Sequence, residues 1–326
     1  MVPALCNLIR ITPIRAGSTG FCATGYVPQI SGKDSDGKDK NPAPAFEATP
    51  DNHWGLWVMG SGQSVSVGND DANATGYAIE DGSFTFGLDY RLLHNLAFGV
   101  YGGYNTGTAT LVDGGEMRMS GGDVGGYATW FWRGFYVDAS GGGAWNNYKT
   151  DRVALLGDAL GSTNGTEYNA LGALGYDWHV GCFNVGPRAT IQYVDVSIDE
   201  FTETGSLAPL EIQDQDVDSL QSTVGVRATY DIHGAKPGVL VRPELDVAWL
   251  HEYNDKAYPI DSRLASGAGD VFTVWGPTVG RDAAQVRAGL NMQLATWLSV
   301  YVYYDGLLGR GNYDNNGGSG GFTLSF

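Results

Sequence analysis

The sequence predicts an all-β protein, a transmembrane antiparallel up-and-down β-barrel of about twelve strands, and three observations predict it. Glycine and aromatic residues are abundant while charge is scarce: 49 Gly, 18 Tyr, 12 Phe and 9 Trp stand beside 17% charged residues in a chain of 326. Such a composition favours strands and turns over helices. From His53 onward apolar and polar residues alternate with period two, and the links between alternating segments are short and long in turn. No apolar run approaches the ~18 residues that a membrane-spanning helix needs, so any span must be a closed barrel, in which every backbone group is paired.

The elements follow in order. Residues 1–52 show no sustained period, and the stretch 31–50 is rich in Lys, Asp, Gly and Pro, the composition of a linker or disordered tail. Residues 53–326 read as one barrel domain without a composition shift. Strands are predicted at 54–68, 79–93, 96–111, 117–132, 135–150, 165–180, 183–198, 217–232, 239–253, 283–295, 297–309 and 315–326. In the second, Phe84, Phe86, Leu88 and Tyr90 oppose Thr85, Asp89 and Arg91. In the seventh, Val185, Ala189, Ile191 and Tyr193 oppose Asn184, Arg188, Thr190 and Gln192. The eighth sets Leu220, Val224, Val226, Ala228, Tyr230 and Ile232 against Gln221, Thr223, Arg227, Thr229 and Asp231. The ninth sets Val239, Val241, Leu245, Val247 and Trp249 against Arg242, Glu244 and Asp246.

Tight turns are expected at His94-Asn95, Arg133-Gly134, Gly181-Cys182 and Thr296, with a modest link at 233–238 and long loops at 69–78, 151–164, 199–216 and 254–282. Outer-membrane barrels gather short turns at the periplasmic end and long loops outside. Strands of this length exceed the globular mode of about five or six residues and suit a tilted membrane crossing.

Parity alone leaves open whether the apolar face meets lipid or the core of a soluble, ligand-binding barrel. The polar face carries both signs of charge, including Asp138, Asp177 and a proposed lumen network of Asp89, Arg91, Arg188, Arg227, Arg242, Glu244, Asp246 and Arg287. These fit a hydrated interior in which the acids pair with arginines, since burying either sign alone costs several kcal/mol. Aromatic residues beside the short turns, Trp130, Trp132, Phe135, Tyr176, Trp178, Phe183 and Trp297, are expected to form a periplasmic girdle where lipid meets water.

Other chemistry is set aside. A net charge of −17 argues against nucleic acid, and Asp70, Asp71, Asp214, Asp216 and Asp218 read as solvated loop residues. Cys6, Cys22 and Cys182 form no CxxC pair, so no metal cluster or disulfide framework is indicated, and a Cys6 to Cys22 bridge has little support. Met1 to Ala16 lacks the apolar core of the secretory signal that an exported barrel needs, which suggests a truncated or misassigned start. Ser319 lies in a GxSxG pattern that enters a strand rather than a strand-to-helix elbow. Asn312, Asp314, Asn316 and Gly317 resemble half a calcium loop, but Thr323 stands where the bidentate Glu is needed. His53, His94, His179, His233 and His251 have no metal-ligand spacing. Neither catalysis, metal nor cofactor is expected.

The chain ends with Phe322, Leu324 and Phe326 on one face. This resembles the C-terminal signal read by the outer-membrane assembly machinery, for which an exposed last strand offers an edge to pair with. Ordered segments carry a wider resemblance: Trp54-Gly55-Leu56-Trp57, Gly125-Gly126-Tyr127, Thr223-Val224-Gly225-Val226-Arg227, Pro243-Glu244-Leu245, Trp249-Leu250-His251-Glu252, Val286-Arg287-Ala288-Gly289-Leu290 and Tyr303-Tyr304-Asp305-Gly306. Across 54–326 their order resembles the autotransporter (type V secretion) β-domain family.

The resemblance implies a non-enzymatic translocator in the bacterial outer membrane, surrounded by lipid and lipopolysaccharide and inserted by the barrel assembly machinery. It would anchor and export an N-terminal passenger, of which 1–52 would be linker or remnant. It also implies a helical segment in the pore before the first strand, whereas Pro42, Pro44 and Pro50 are poor helix material. Some members cleave their passenger at a pore asparagine using lumen acids. Here Asp89, Glu244 and Asp246 are such acids, but only Asn41 and Asn52 stand in the linker and they are not adjacent. The alternative function is a stand-alone outer-membrane pore or surface adhesin acting through its long loops.

Overall fold

The computed structural model describes residues 53–69, 74–93, 95–154, 157–234, 239–254 and 257–326. The linker 1–52 with Cys6 and Cys22, the Asp70-Asp71 pair and His94 lie outside the described residues.

Eighteen strands follow in chain order: β1 (Trp54–Val67), β2 (Tyr77–Leu93), β3 (Leu96–Leu111), β4 (Glu116–Trp132), β5 (Phe135–Ala154), β6 (Gly157–Tyr176), β7 (Trp178–Val180), β8 (Phe183–Ile198), β9 (Phe201–Thr202), β10 (Leu210–Ile212), β11 (Gln215–Tyr230), β12 (Ile232–His233), β13 (Leu240–Glu252), β14 (Pro259–Leu264), β15 (Phe272–Trp275), β16 (Asp282–Ala295), β17 (Leu298–Leu308) and β18 (Asp314–Ser325). Twelve of them, β1 to β6, β8, β11, β13, β16, β17 and β18, pair antiparallel with their chain neighbours. β18 then pairs with β1 from Gly55↔Ser325 to Ser66↔Asp314, which closes the ring. The fold is thus an up-and-down barrel of twelve strands, as the alternation predicts. No helix among the described residues is long and apolar enough to cross a membrane, which says nothing of strands.

The outward face is the apolar one. Phe84, Phe86, Leu88, Val100, Val224, Val226, Leu245, Val247 and Val302 are all exposed, while Thr85, Thr223, Asp246 and Arg287, of the opposite parity, are buried. A soluble barrel would show the reverse. Exposed Phe84, Tyr104, Trp145, Tyr168, Tyr193, Trp249 and Tyr304 also lie on this face, toward the end with the long loops. The sequence predicts only the aromatic band at the short-turn end.

The interior has two storeys. Its part toward the short turns is polar, but its part toward the long loops is apolar, with Val65, Val67, Ile79, Ala109, Leu111, Met117, Met119, Val194, Val196 and Ile198 in one buried cluster. The expectation of a polar interior therefore holds only for the inner storey.

Glycines within strands accommodate interior aromatic rings. A Cβ at Gly87 would stand 2.3 Å from the Trp57 ring, at Gly125 2.3 Å from Tyr101, and at Gly289 2.0 Å from Tyr303. Only a residue without a side chain admits these rings against the wall.

Two loop expectations are corrected. The stretch 151–164 is not a long loop, because β5 and β6 stay paired up to Ala154↔Gly157. Above the membrane the outward face need not be apolar, so the polar run Ser162-Thr163-Asn164 continues the strand without an alternating signal. The loops 199–216 and 254–282 are partly folded too: β15, β14, β10 and β9 form a four-stranded sheet over a small core of Phe201, Ile212 and Ile260. This cap is fastened to the barrel by the Leu160↔Thr204 bridge and by Arg152, whose Nε donates to Glu203 Oε1 at 2.9 Å.

Candidate functional site

The lumen is the candidate site, and inward parity places its side chains there. Across four adjacent strands a single register row alternates in sign: Arg227 on β11 faces Asp246 on β13, Asp246 faces Arg287 on β16, and Arg287 faces Asp305 on β17. Opposite charges directly across a strand pair stabilise it. Arg188 on β8 joins the row by reaching past Gly225, its register partner on β11, to Asp246 Oδ2 at 2.5 Å. Asp246 is 1% exposed, so this pair is almost wholly withdrawn from water.

The other arginines pair with Asp177, one of the charges expected on the inward face, and with two acids that were not, Asp231 and Asp305. Arg227 donates to Asp177, and its guanidinium lies 4.9 Å over the Tyr136 ring. Arg242 makes a two-pronged contact with Asp231, with Nε to Oδ1 at 2.5 Å and Nη2 to Oδ2 at 3.0 Å. Arg287 lies 3.5 Å from Asp305 and 4.1 Å over the Tyr303 ring. Glu244 accepts a 3.4 Å contact from Tyr303 Oη instead of an arginine.

All eight proposed lumen residues stand on inward parity in the barrel wall, Arg91 near the short-turn mouth on β2. Asp89 is not in the arginine group: Trp57 Nε1 donates to Tyr127 Oη at 2.8 Å, and Tyr127 Oη donates on to Asp89 Oδ2 at 3.1 Å. Sequence reasoning placed Asp177 among the inward charges without joining it to Arg227, and missed Asp231 and Asp305 as partners of Arg242 and Arg287, although Asp231 stood on the polar parity and Asp305 in a quoted segment. Asp231 had a legible signal, since it and Arg242 flank one short hairpin.

Trp130, Trp132, Phe135, Trp178 and Trp297 are all exposed at the short-turn end, and Tyr176 meets Trp178 edge-on at 5.3 Å. Phe322 and Phe326 are exposed and Leu324 half-buried. Both edges of β18 are occupied, by β17 and β1, and Phe326 exchanges two 2.9 Å backbone hydrogen bonds with Trp54. The free edge that an assembly signal requires thus exists only before closure.

No group of three or more metal-ligating side chains occurs among the described residues. Asn312 is a turn residue with φ of 55°, its amide donating to the Gly68 and Thr278 carbonyls at 3.1 Å. Ser319 is an ordinary strand residue paired with Ser61 and Tyr303. In the cap, hydrogen bonding from Arg263 to Glu211 holds the guanidinium's pKa above its usual value.

Comparison with known proteins adds the following. The family described as "Autotransporter beta-domain" matches residues 56–305. An extracellular serine protease of Serratia marcescens is 29% identical over 278 residues, which are 82% of this chain and 26% of that protein. The chain thus spans about a quarter of the length of that relative. Among solved structures, the translocator domain of autotransporter NalP from Neisseria meningitidis superposes with a TM-score of 0.69 at 12% identity, covering 100% of this chain and 97% of that one. The transport unit of AIDA-I from Escherichia coli gives 0.64 at 16% identity, covering 99% of each.

Proposed function

The chain belongs to the autotransporter β-domain family, and from that premise we propose that it anchors an N-terminal passenger in the outer membrane and passes it to the cell surface. The single observation that carries this reading is the closed twelve-stranded ring with its apolar face outward and its charges inward. Such a wall is stable only in lipid, and it surrounds a passage wider than an eight-stranded barrel, whose side chains just fill its interior.

In this reading residues 1–52 are the linker to the passenger and 53–326 the barrel. Lipid and lipopolysaccharide cover the outward face, the exposed aromatic bands mark its two interfaces, and the assembly machinery captures β18 through Phe322, Leu324 and Phe326 before the seam closes. The arginine and acid groups keep the inner storey hydrated, a structural role rather than an enzymatic one.

The test is export. With a secretion signal and a short unfolded reporter placed ahead of residue 1, the reporter should be cut by protease added to intact cells, and the barrel should show heat-modifiable migration. A reporter that stays protected inside cells containing folded barrel would refute translocation and leave a stand-alone pore or adhesin.

A further inference from the structure

One part of the lumen wall carries charge that the arginine groups leave unanswered. On β3 to β6, two successive register rows set small residues against polar ones: Gly103–Asp123–Ala144–Glu167 and Asn105–Gly121–Asn146–Gly165. The two rows share the inward face, and Asn146 is the diagonal neighbour of both acids, about 7–8 Å away along the sheet. Asn105 stands in the same relation to Asp123. The glycines supply room between them. A Cβ at Gly121 would lie 2.0 Å from Asn146 Oδ1, and one at Gly103 2.6 Å from Asp123 Oδ1, so the amide leans over one glycine and the carboxylate over the other.

Two independent observations mark this place as one that receives a cation. The first is uncompensated charge. Glu167 is 5% exposed and accepts a hydrogen bond from Asn169, and among the described residues neither it nor Asp123 has an ion-pair partner. These strands have no cation to give: β3 and β6 contain no Lys or Arg, Arg118 and Lys149 stand on outward parity, and Arg152 is committed to Glu203. A carboxylate withdrawn from water without a cation is strongly disfavoured. The second is an unanswered amide. Asn146 is 3% exposed, and neither its Oδ1 nor its Nδ2 has a hydrogen-bond partner among the described residues; the same is true of Asn105 Oδ1. Buried side-chain oxygens of this kind are rare in folded proteins.

We propose that the carboxylates of Asp123 and Glu167 and the amide oxygens of Asn105 and Asn146 form a binding site for a divalent cation of the calcium class in the lumen wall. All four side chains offer oxygen, the hard donor that such a cation takes, and none offers imidazole or thiolate. Two carboxylates match its double charge. The two amide oxygens gain the partner that the barrel itself does not supply. Only two of the ligands are acids, so no trio of His, Cys, Asp or Glu marks the site.

Calcium rather than magnesium fits the layout. Calcium accepts about six to eight oxygens in irregular arrangements at about 2.3–2.6 Å and completes its set with water, whereas magnesium demands a near-ideal octahedron. Here the oxygens come from four strands, β3 to β6, and from two register rows. Bound there, the cation ties these four strands together from within, as the arginine row does from β8 to β17. The site depends on the wall alone and is independent of what the barrel transports.

The full chain, folded in detergent and stripped with chelator, is titrated with calcium chloride by calorimetry, and its urea unfolding midpoint is read with and without calcium. The wild type should bind with a Kd of about 0.1–1 mM and shift its midpoint upward, and magnesium should bind at least about tenfold more weakly. The Asp123→Asn Glu167→Gln pair and Asn146→Leu should each weaken calcium at least about tenfold and lose the shift. Asp138→Asn, which removes an inward carboxylate held elsewhere by Thr129 Oγ1 at 2.7 Å, should keep both. A wild-type midpoint that calcium leaves in place overturns the site. Unchanged affinity in the carboxylate pair or in Asn146→Leu would put the cation on other acids and overturn it equally. Equal affinity for magnesium would overturn the assignment to calcium. If the pair fails to fold, as judged by heat-modifiable migration, Asn146→Leu decides, because it keeps both carboxylates and exchanges one amide for an apolar side chain of similar size.

Discussion

Replacing Gly289 by alanine tests whether ring and glycine truly interlock. The new Cβ would lie 2.0 Å from Tyr303 Cδ1 and 2.1 Å from its Cε1, so the ring must retreat by about 1.4 Å to regain ordinary contact. It has little room to do so, for Tyr303 is 5% exposed, lies under the Arg287 guanidinium at 4.1 Å and contacts Glu244 through its hydroxyl. Overpacking costs about 1–3 kcal/mol, and disturbing the guanidinium–ring contact adds ~0.5–2 kcal/mol. We expect a total loss of about 2–4 kcal/mol, read from urea unfolding of the barrel in detergent. The control is Gly82→Ala, where the nearest atom to a Cβ is 3.9 Å away and the usual gain of alanine over glycine in a strand applies. Equal midpoints for the two variants would refute the interlocking. In a Tyr303→Ala background the Gly289→Ala change should lose most of its effect, a coupling of at least about 1 kcal/mol.

Three further outcomes follow from the geometry. Arg188→Met removes the hydrogen-bonded cation of Asp246 and leaves it only Arg227 and Arg287 across the register row, so in the same unfolding assay it should cost somewhat less than the ~3–5 kcal/mol of a buried charge left wholly unpaired, with much of the loss restored by adding Asp246→Asn; no recovery would show that the pair is not the cause. Brominated lipids should quench fluorescence from exposed Trp178 and Trp297 but not from lumenal Trp57, compared in single-tryptophan variants, and quenching of Trp57 would reverse the assignment of faces. Arg152→Ala removes the cation beside buried Glu203, so the cap should become sensitive to protease while the barrel stays resistant; an unchanged digestion pattern would mean that the cap is held by its apolar core alone.

The barrel was legible because lipid imposes period-two alternation wherever a strand crosses it, as in Phe84 to Arg91 and Leu245 to Trp249. Where a strand leaves the membrane that pressure ends, and there the reading failed: 151–164 looked like a loop, and the cap strands left no alternating trace. The direction of the apolar face was not contained in parity, which is symmetric between core and lipid; mixed charge decided it. The lumen residues were found one strand at a time, yet their bonds run across strands. Arg227 meets Asp177 fifty residues away, a pairing that arises because β6 and β11 flank β8 in the sheet. Glycine was read as a sign of turns, while much of it sits within strands beneath rings such as Tyr101 and Tyr303. Nothing local in the sequence joins Gly289 to Tyr303, because their adjacency is a matter of register between β16 and β17.

The seam between β18 and β1 has a consequence that depends only on counting. Each strand of an up-and-down ring reverses the chain, so an even number returns the last residue to the mouth where the first began, and Phe326 indeed bonds to Trp54. With an odd number the two ends would face opposite compartments. Here whatever is joined ahead of Trp54 starts on the same side of the membrane as the C-terminus, beside the paired seam. Its direct way to the opposite compartment is through the middle of the ring.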